Sequence, residues 1–199
     1  MENKEALEAL REEVMESIKY KMNDRDDEGR IEFSLEEVDS LKVLDSIIKE
    51  TLRISGGVFM VRGIAEDTWF EMNDGQKYFL RKGDKVAMYP PAIHRDPEIF
   101  ENPDEYKFDR FVDRKFYKNG KEVKTPILSF GSLCPGKKYA ITQAKWFLLS
   151  LVHTFDIELC EGEKTELDVH YYGHEILPPT NEVQMRYRLR KEHENLIFV

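Results

Sequence analysis

The stretch Phe130-Gly131-Ser132-Leu133-Cys134-Pro135-Gly136 runs directly into the segment Lys137 to Phe155. In that segment Ala140, Ala144, Phe147, Leu148, Leu151 and Phe155 recur at helical steps, which predicts the clearest helix of the chain with these residues on one face. Gly131 and Gly136 allow a tight backbone path around Cys134. A thiol just ahead of a helix feels the positive end of the helix dipole, which favours thiolate. A thiolate surrounded by backbone N–H groups suits a soft or borderline metal. The same residues also read as a buried, inert cysteine before a helix, because free cysteine is commonly buried. From the residues alone both readings stand.

Upstream, Leu7, Leu10, Val14 and Ile18 predict a helix over residues 2–22. A polar linker from Asn23 to Arg30 follows. Ser34 and Glu37 form a capping box that opens a second helical region, with an apolar stripe of Leu41, Leu44, Ile48 and Leu52. Gly56-Gly57 ends it. Strands are expected at Val58 to Arg62, Asp67 to Met72, Lys77 to Arg81 and Lys85 to Tyr89. Asp74-Gly75 makes a hairpin turn, and Pro90-Pro91 stops the last strand. Residues 92–132 have little periodicity and many aromatics, so they read as an ordered meander or functional loop. Alternation of Val183, Met185, Tyr187 and Leu189 marks a C-terminal strand. The fold class is α+β. Residues 1–199 form one domain: helices over 1–54, a small sheet over 55–89, the meander over 90–132, the cysteine and long helix over 133–160, and a C-terminal hairpin and tail over 161–199.

The chain has 199 residues, 35% of them charged and 12% aromatic, a mixture that argues against disorder. A formal charge of −9 makes it a poor general binder of nucleic acid. Two cysteines rule out a disulfide scaffold and fit a reducing compartment. The start, Met1 to Glu5, lacks the apolar core of a secretory signal. The longest apolar run, Trp146 to Val152, is broken by Ser150 and falls far short of the ~20 residues that span a bilayer.

Glu50 and Arg53 stand three apart on the second helical region, so their side chains meet. If the segment Tyr106 to Phe111 folds back, Arg110 joins them and Glu50 holds two guanidinium groups in a buried network. The alternative is an exposed pair worth a few tenths of a kcal/mol. His153, His170 and His174 match no usual zinc spacing, and Cys160 reads as a packing residue. Arg114, Lys115, Lys118, Lys121 and Lys124 crowd around Glu122, either as a solvated loop or as a docking patch for an acidic partner.

Three sets of residues together resemble the cytochrome P-450 family of haem-thiolate monooxygenases. Glu50-Thr51-Leu52-Arg53 resembles its Glu-x-x-Arg motif. His94-Arg95-Asp96-Pro97 with Pro103 and Phe108-Asp109-Arg110-Phe111 resembles its meander. Phe130-Gly131 with Cys134-Pro135-Gly136 resembles its cysteine-ligand loop. The segments Leu44 to Glu50, Asp96 to Phe100, Phe116 to Gly120 and Ile176-Leu177-Pro178-Pro179 are similar to the sterol 7α-hydroxylase and prostacyclin synthase group. The resemblance implies the C-terminal part of that fold and haem b as cofactor. Cys134 is then the axial iron ligand, with Arg62, Phe130, Gly131 and Gly136 at the cofactor. Glu50, Arg53 and Arg110 are the structural network, and Val58, Phe59, Ile176 and Leu177 line the substrate. The implied activity is hydroxylation of a sterol or similar lipid with O2. The implied partner is an NADPH–cytochrome reductase, met by the basic stretch, and the implied location is the endoplasmic reticulum membrane.

The sequence also departs from the family pattern. It starts near the helix before Glu-x-x-Arg, so it reads as a truncated domain whose distal acid–alcohol pair lies outside residues 1–199. No catalytic residue is therefore assigned in it. Cys134 follows Phe130 by only four positions. The family loop is roughly three residues longer and carries a basic residue, a difference of roughly 10 Å of reach. The second reading is accordingly a non-catalytic truncated homologue that does not bind haem. The apolar stripe of such a part-domain is expected to self-associate.

Overall fold

The computed structural model describes residues 3–72, 74–131, 134–172, 176–190 and 195–198. Helix α1, Lys4–Lys21, is capped by Asn3, whose side chain accepts the Ala6 N–H at 2.9 Å. Its stripe of Leu7, Leu10, Val14 and Ile18 is buried. Strand β1, Ile31–Phe33, leads to the Ser34 capping box, in which Ser34 Oγ accepts the Glu37 N–H and Glu37 accepts the Ser34 N–H.

The second helical region is two helices, not one. Helix α2, Leu35–Ser40, stops at Leu41, whose backbone is extended (φ −71°, ψ 101°), and α3, Lys42–Ser55, starts immediately after. No neighbouring side chain caps α3. Glu13 of α1 does so from a distance, accepting the Val43 and Leu44 N–H groups at 2.8 and 2.9 Å. A carboxylate there also complements the positive helix end.

Helix α5, Lys137–Thr154, buries a different face from the expected one. Thr142, Lys145, Leu149, Val152 and His153 point inward, and Phe147 is 63% exposed. Lys145 conceals this face in the sequence. It is buried because its ammonium meets Asp39 at 2.9 Å and Asp45 at 2.8 Å. Burial alone would lower its pKa, but these two carboxylates raise it. Leu149 and Val152 complete a core with α1, β1, Val38, Leu41, Leu44 and Ile47. This core is sealed by β10, Leu196–Phe198, which pairs in parallel with β1. Trp146 sits between Phe33 and Phe198.

The expected strands are present as β2 (Met60–Gly63), β3 (Thr68–Glu71), β4 (Lys77–Leu80) and β5 (Lys85–Met88). They pair antiparallel, β2 with β5 and β3 with β4. The β3–β4 ribbon exposes Trp69 and Phe79 as well as Phe70 and Tyr78. Pro90-Pro91 does more than end β5: it begins α4, Pro90–His94, because proline lacks the N–H that the first helical turn would leave unpaired. The meander also holds a small hairpin, β6 (Tyr117–Lys118) with β7 (Lys121–Glu122). Phe155, expected at the end of the long helix, instead starts β8, Phe155–Leu159, which pairs with β9, Met185–Leu189. Phe155 and Tyr187 meet edge to face across this pair.

Replacing Glu13 with Ala leaves two N–H groups of α3 without their acceptor. The expected loss is about 1–2 kcal/mol, read as a lower urea midpoint with unchanged slope.

Candidate functional site

The last turns of α3 place Glu50 and Arg53 side by side at the base of the meander. Glu50 is fully buried, and Arg53 and Arg110 are nearly so. Arg53 donates to Glu50 through Nε at 2.7 Å and Nη2 at 2.8 Å. Arg110 donates through Nε at 2.9 Å, and the Lys107 N–H adds a further bond at 2.9 Å. Burial alone would raise the Glu50 carboxyl. The Arg53, Lys107 and Arg110 hydrogen bonds outweigh it and hold the group below the usual carboxylate range. The other guanidinium donors reach main-chain carbonyls. Arg53 Nη1 bonds His94 O and Pro103 O, and Arg110 bonds Glu101 O and Glu105 O. One carboxylate thereby organises the chain from residue 94 to residue 110. Arg53 lies over the Phe100 ring, 5.1 Å from its centre, and Phe100 meets Phe111 edge to face and Phe116 at a tilt.

His94 ends α4 and is fully buried. Its Nε2 accepts the Leu128 N–H at 2.9 Å, so the ring is neutral with its proton on Nδ1. Burial, then the positive charge of Arg53, lowers its pKa to about 4. At Ser129, Oγ donates to Leu52 O at 2.7 Å. Gly56 permits that approach, since a Cβ there would lie 2.6 Å from both Ser129 Oγ and Leu52 O. Gly131 turns the chain with φ +63°, and a Cβ on it would meet Met60 Sδ at 2.6 Å.

Cys134 is exposed, ahead of the N-terminal Gly136 of α5. The Lys137 N–H donates to Cys134 O at 3.3 Å. The residue borders a concavity of about 440 Å³ that it shares with Asp39, Pro135, Lys137, Lys138, Ile141 and Thr142. Cys134 is therefore not the buried packing residue that one reading of the sequence expected. Ser132 and Leu133, within the cysteine stretch, lie outside the described residues, as does His174.

The other expected site residues divide into two groups. Phe130 is half-buried beside Gly131. Arg62 is exposed on β2, its Nη1 donating only to the neighbouring Val61 O at 2.9 Å. Val58 is half-buried, and Phe59 is exposed and stacked on Tyr89 at 4.7 Å. The segment at Ile176 and Leu177 joins them: Ile176 bridges Gly56, and the Leu177 N–H donates to Ser55 O at 2.8 Å. Leu177 is buried and Ile176 exposed. The basic stretch is partly neutralised by local pairs, Lys118 with Asp96, Lys115 with Glu122 and Arg114 with Asp109. His153 is buried on α5, and His170 lies in a short 3-10 turn at Val169–Tyr171. Met60 and Ser129 were not singled out in the sequence, and Gly56 and Tyr89 were read only as the ends of a helix and a strand, because their contribution is close approach between distant segments. His94 carried a motif but no role.

The family model for cytochrome P450 matches residues 1–185. The chain belongs to the cytochrome P450 family. It is 38% identical to cytochrome P450 7A1 of Sus scrofa over 94% of its own length and 39% of that protein. It is 34% identical to the 25-hydroxycholesterol 7-alpha-hydroxylase of Rattus norvegicus, over 96% of this chain and 48% of the relative. It is 33% identical to the 7-alpha-hydroxycholest-4-en-3-one 12-alpha-hydroxylase of Homo sapiens, over 95% and 40%. This P450 chain thus spans less than half the length of these curated relatives. The similarity to sterol 7α-hydroxylases expected from the short motifs extends over nearly the whole chain.

The family implies a haem. The described residues bring one exposed thiol to a helix N-terminus and hold no cluster of three or more His, Cys, Asp or Glu side chains placed to bind an ion. A porphyrin supplies four donors of its own and asks the protein for one soft axial ligand, so this donor set fits it. Arg62, with no carboxylate partner among the described residues, suits a propionate.

Two measurements probe the buried cluster. Glu50→Ala leaves two buried guanidinium groups without their carboxylate, and is expected to cost about 3–5 kcal/mol in chemical denaturation. The unfolded chain protonates His94 near its ordinary pKa of 6.5, whereas the folded chain resists until about 4. The stability contribution of this neutral imidazole is therefore complete above pH 6.5 and is lost as pH falls towards 4, where the loss approaches about 3 kcal/mol. Urea midpoints taken between pH 7 and pH 5, above the titration of Glu50, should fall more steeply in the wild type than in His94→Gln.

Proposed function

We propose that this chain carries the cysteine-ligand half of a haem-thiolate monooxygenase that hydroxylates a sterol or similar lipid. The carrying observation is the exposed Cys134 at the start of α5, on a loop tied to the buried Glu50–Arg53–Arg110 cluster. When bound, haem b supplies the iron chemistry that inserts one oxygen atom of O2 into a C–H bond. Cys134 would hold the iron through its sulfur, the soft donor that such an iron takes from a protein. Gly131 and Gly136 keep the backbone close around it, and Phe130 covers the loop. The Arg62 guanidinium pairs with a propionate. Exposed Phe59 and Ile176 with half-buried Val58 present an apolar border suited to a sterol, backed by buried Leu177.

The names of the relatives, which are sterol hydroxylases, support this reading over a non-catalytic homologue. Electrons come from an NADPH-dependent reductase, and the working location is the endoplasmic reticulum membrane. No helix among the described residues is long and apolar enough to cross a membrane. The shortened Phe130-to-Cys134 span sets the condition for the reading: the described turn at Gly131 has to bring the thiolate within reach of the iron.

Titrating the purified chain with haem, reducing it and adding CO should give a thiolate-type Soret shift, lost in Cys134→Ala and kept in Cys160→Ala. Free-haem absorbance in the wild type would overturn the proposal.

A further inference from the structure

Of the contacts that hold the cysteine loop, one ties it to the carboxylate–arginine cluster by a single side chain. The carbonyl of His94 accepts Arg53 Nη1 at 2.7 Å, while its ring Nε2 accepts the Leu128 N–H at 2.9 Å. Leu128 O in turn accepts the Gly131 N–H at 2.9 Å, closing the turn at the entry to the cysteine stretch. His94 is fully buried, and the two prolines Pro90 and Pro91 restrict the backbone of the short helix that presents it. A buried N–H that loses its acceptor is costly, so the Leu128 amide has reason to stay where the ring is.

We infer that His94 is a positioning residue for Cys134: its neutral imidazole, anchored through its own carbonyl to Arg53, fixes the Leu128–Gly131 turn from which the cysteine stretch departs. The inference deepens the haem-thiolate reading and rests on it for its purpose, but the tether can be tested without haem. Two other routes into the loop make different demands. Ser129 Oγ donates to Leu52 O, holding the turn to α3 alone, and Met60 packs against Gly131. Neither joins the turn to the arginine that also holds the meander.

The test uses the full haem-free chain and three versions of residue 94. His94→Gln keeps an acceptor at the reach of Nε2. His94→Asn keeps a polar amide that stops short of Leu128. His94→Phe keeps the bulk without an acceptor. Hydrogen exchange is followed at the Leu128 and Gly131 amides, with α3 amides as the measure of global opening, and Cys134 alkylation is followed with Cys160 as internal reference. In His94→Asn the Leu128 and Gly131 amides should exchange about tenfold faster relative to α3, the size expected for loss of one buried hydrogen bond. The Cys134-to-Cys160 alkylation ratio should shift with them, and His94→Gln should restore both. If His94→Phe does not fold, the Asn and Gln pair carries the comparison. Equal exchange in the Asn variant and the wild type would overturn the tether. Faster exchange with an unchanged alkylation ratio would overturn the positioning of Cys134. A wild-type chain that fails to show a thiolate Soret band while the Asn and Gln variants behave as expected would overturn the haem reading and leave the tether standing.

Discussion

A single carboxylate, that of Glu50, accepts from two arginines and one main-chain N–H in a region closed to water. Burying one ion costs several kcal/mol unless its lone pairs are filled, and here they are. The arginines carry the effect outward, because a guanidinium has five donors and Glu50 uses only part of them. The remaining donors collect the carbonyls of His94, Pro103, Glu101 and Glu105, which belong to a segment with little regular structure. Such a meander would otherwise leave buried carbonyls unpaired. The cluster gives irregular backbone the hydrogen bonds that a helix or sheet would give it.

The same logic explains why the cysteine loop can be short and still ordered at its entry. Leu128 is held by a ring nitrogen, Ser129 by the last turns of α3, and Gly131 by a sulfur contact. Two of these contacts need the absence of a side chain. At Gly56 and Gly131 a Cβ would come within 2.6 Å of its neighbour, which no rotamer change of backbone Leu52 O could relieve at Gly56. The loop is therefore seated by close approach on one side and by polar anchors on the other.

Much of this was legible in the sequence, and the rest was hidden for identifiable reasons. The α1 stripe, the Ser34 capping box and the strands at 58–89 follow local rules of period and turn chemistry, and they appear where those rules put them. The Glu50–Arg53 pair was visible as an i, i+3 spacing, but the return of Arg110 depended on tertiary folding. The inner face of α5 was misread because Thr142 and Lys145 look like surface residues. Only the carboxylates of Asp39 and Asp45, about a hundred positions earlier, make a buried lysine tolerable there. β8 was missed although Phe155, Ile157 and Leu159 alternate with Asp156 and Glu158 as in a strand, because Phe155 also continues the helical stripe of the segment before it. The break at Leu41 was invisible because the residue is apolar and buried like Leu44, Ile48 and Leu52 of the same stripe; what starts α3 is Glu13, far away in sequence.

Among the described residues, buried charge is gathered around Glu50 and around Lys145, with different reach. Lys145 sits between two carboxylates and joins α5 to α2 and α3, elements already packed through Leu149 and Val152. Removing it would leave that apolar core largely able to form. Glu50 sits beside the packed rings of Phe100, Phe111 and Phe116, but the arginines it holds give main-chain carbonyls hydrogen bonds that those rings cannot supply. A buried ion pair can often be exchanged for well-packed apolar residues when its only task is to fill space. No apolar group can supply donors to these main-chain carbonyls, so that exchange is open at Lys145 and closed at Glu50. The difference makes the Glu50 cluster, and not the Lys145 one, the element on which the geometry of the cysteine loop depends.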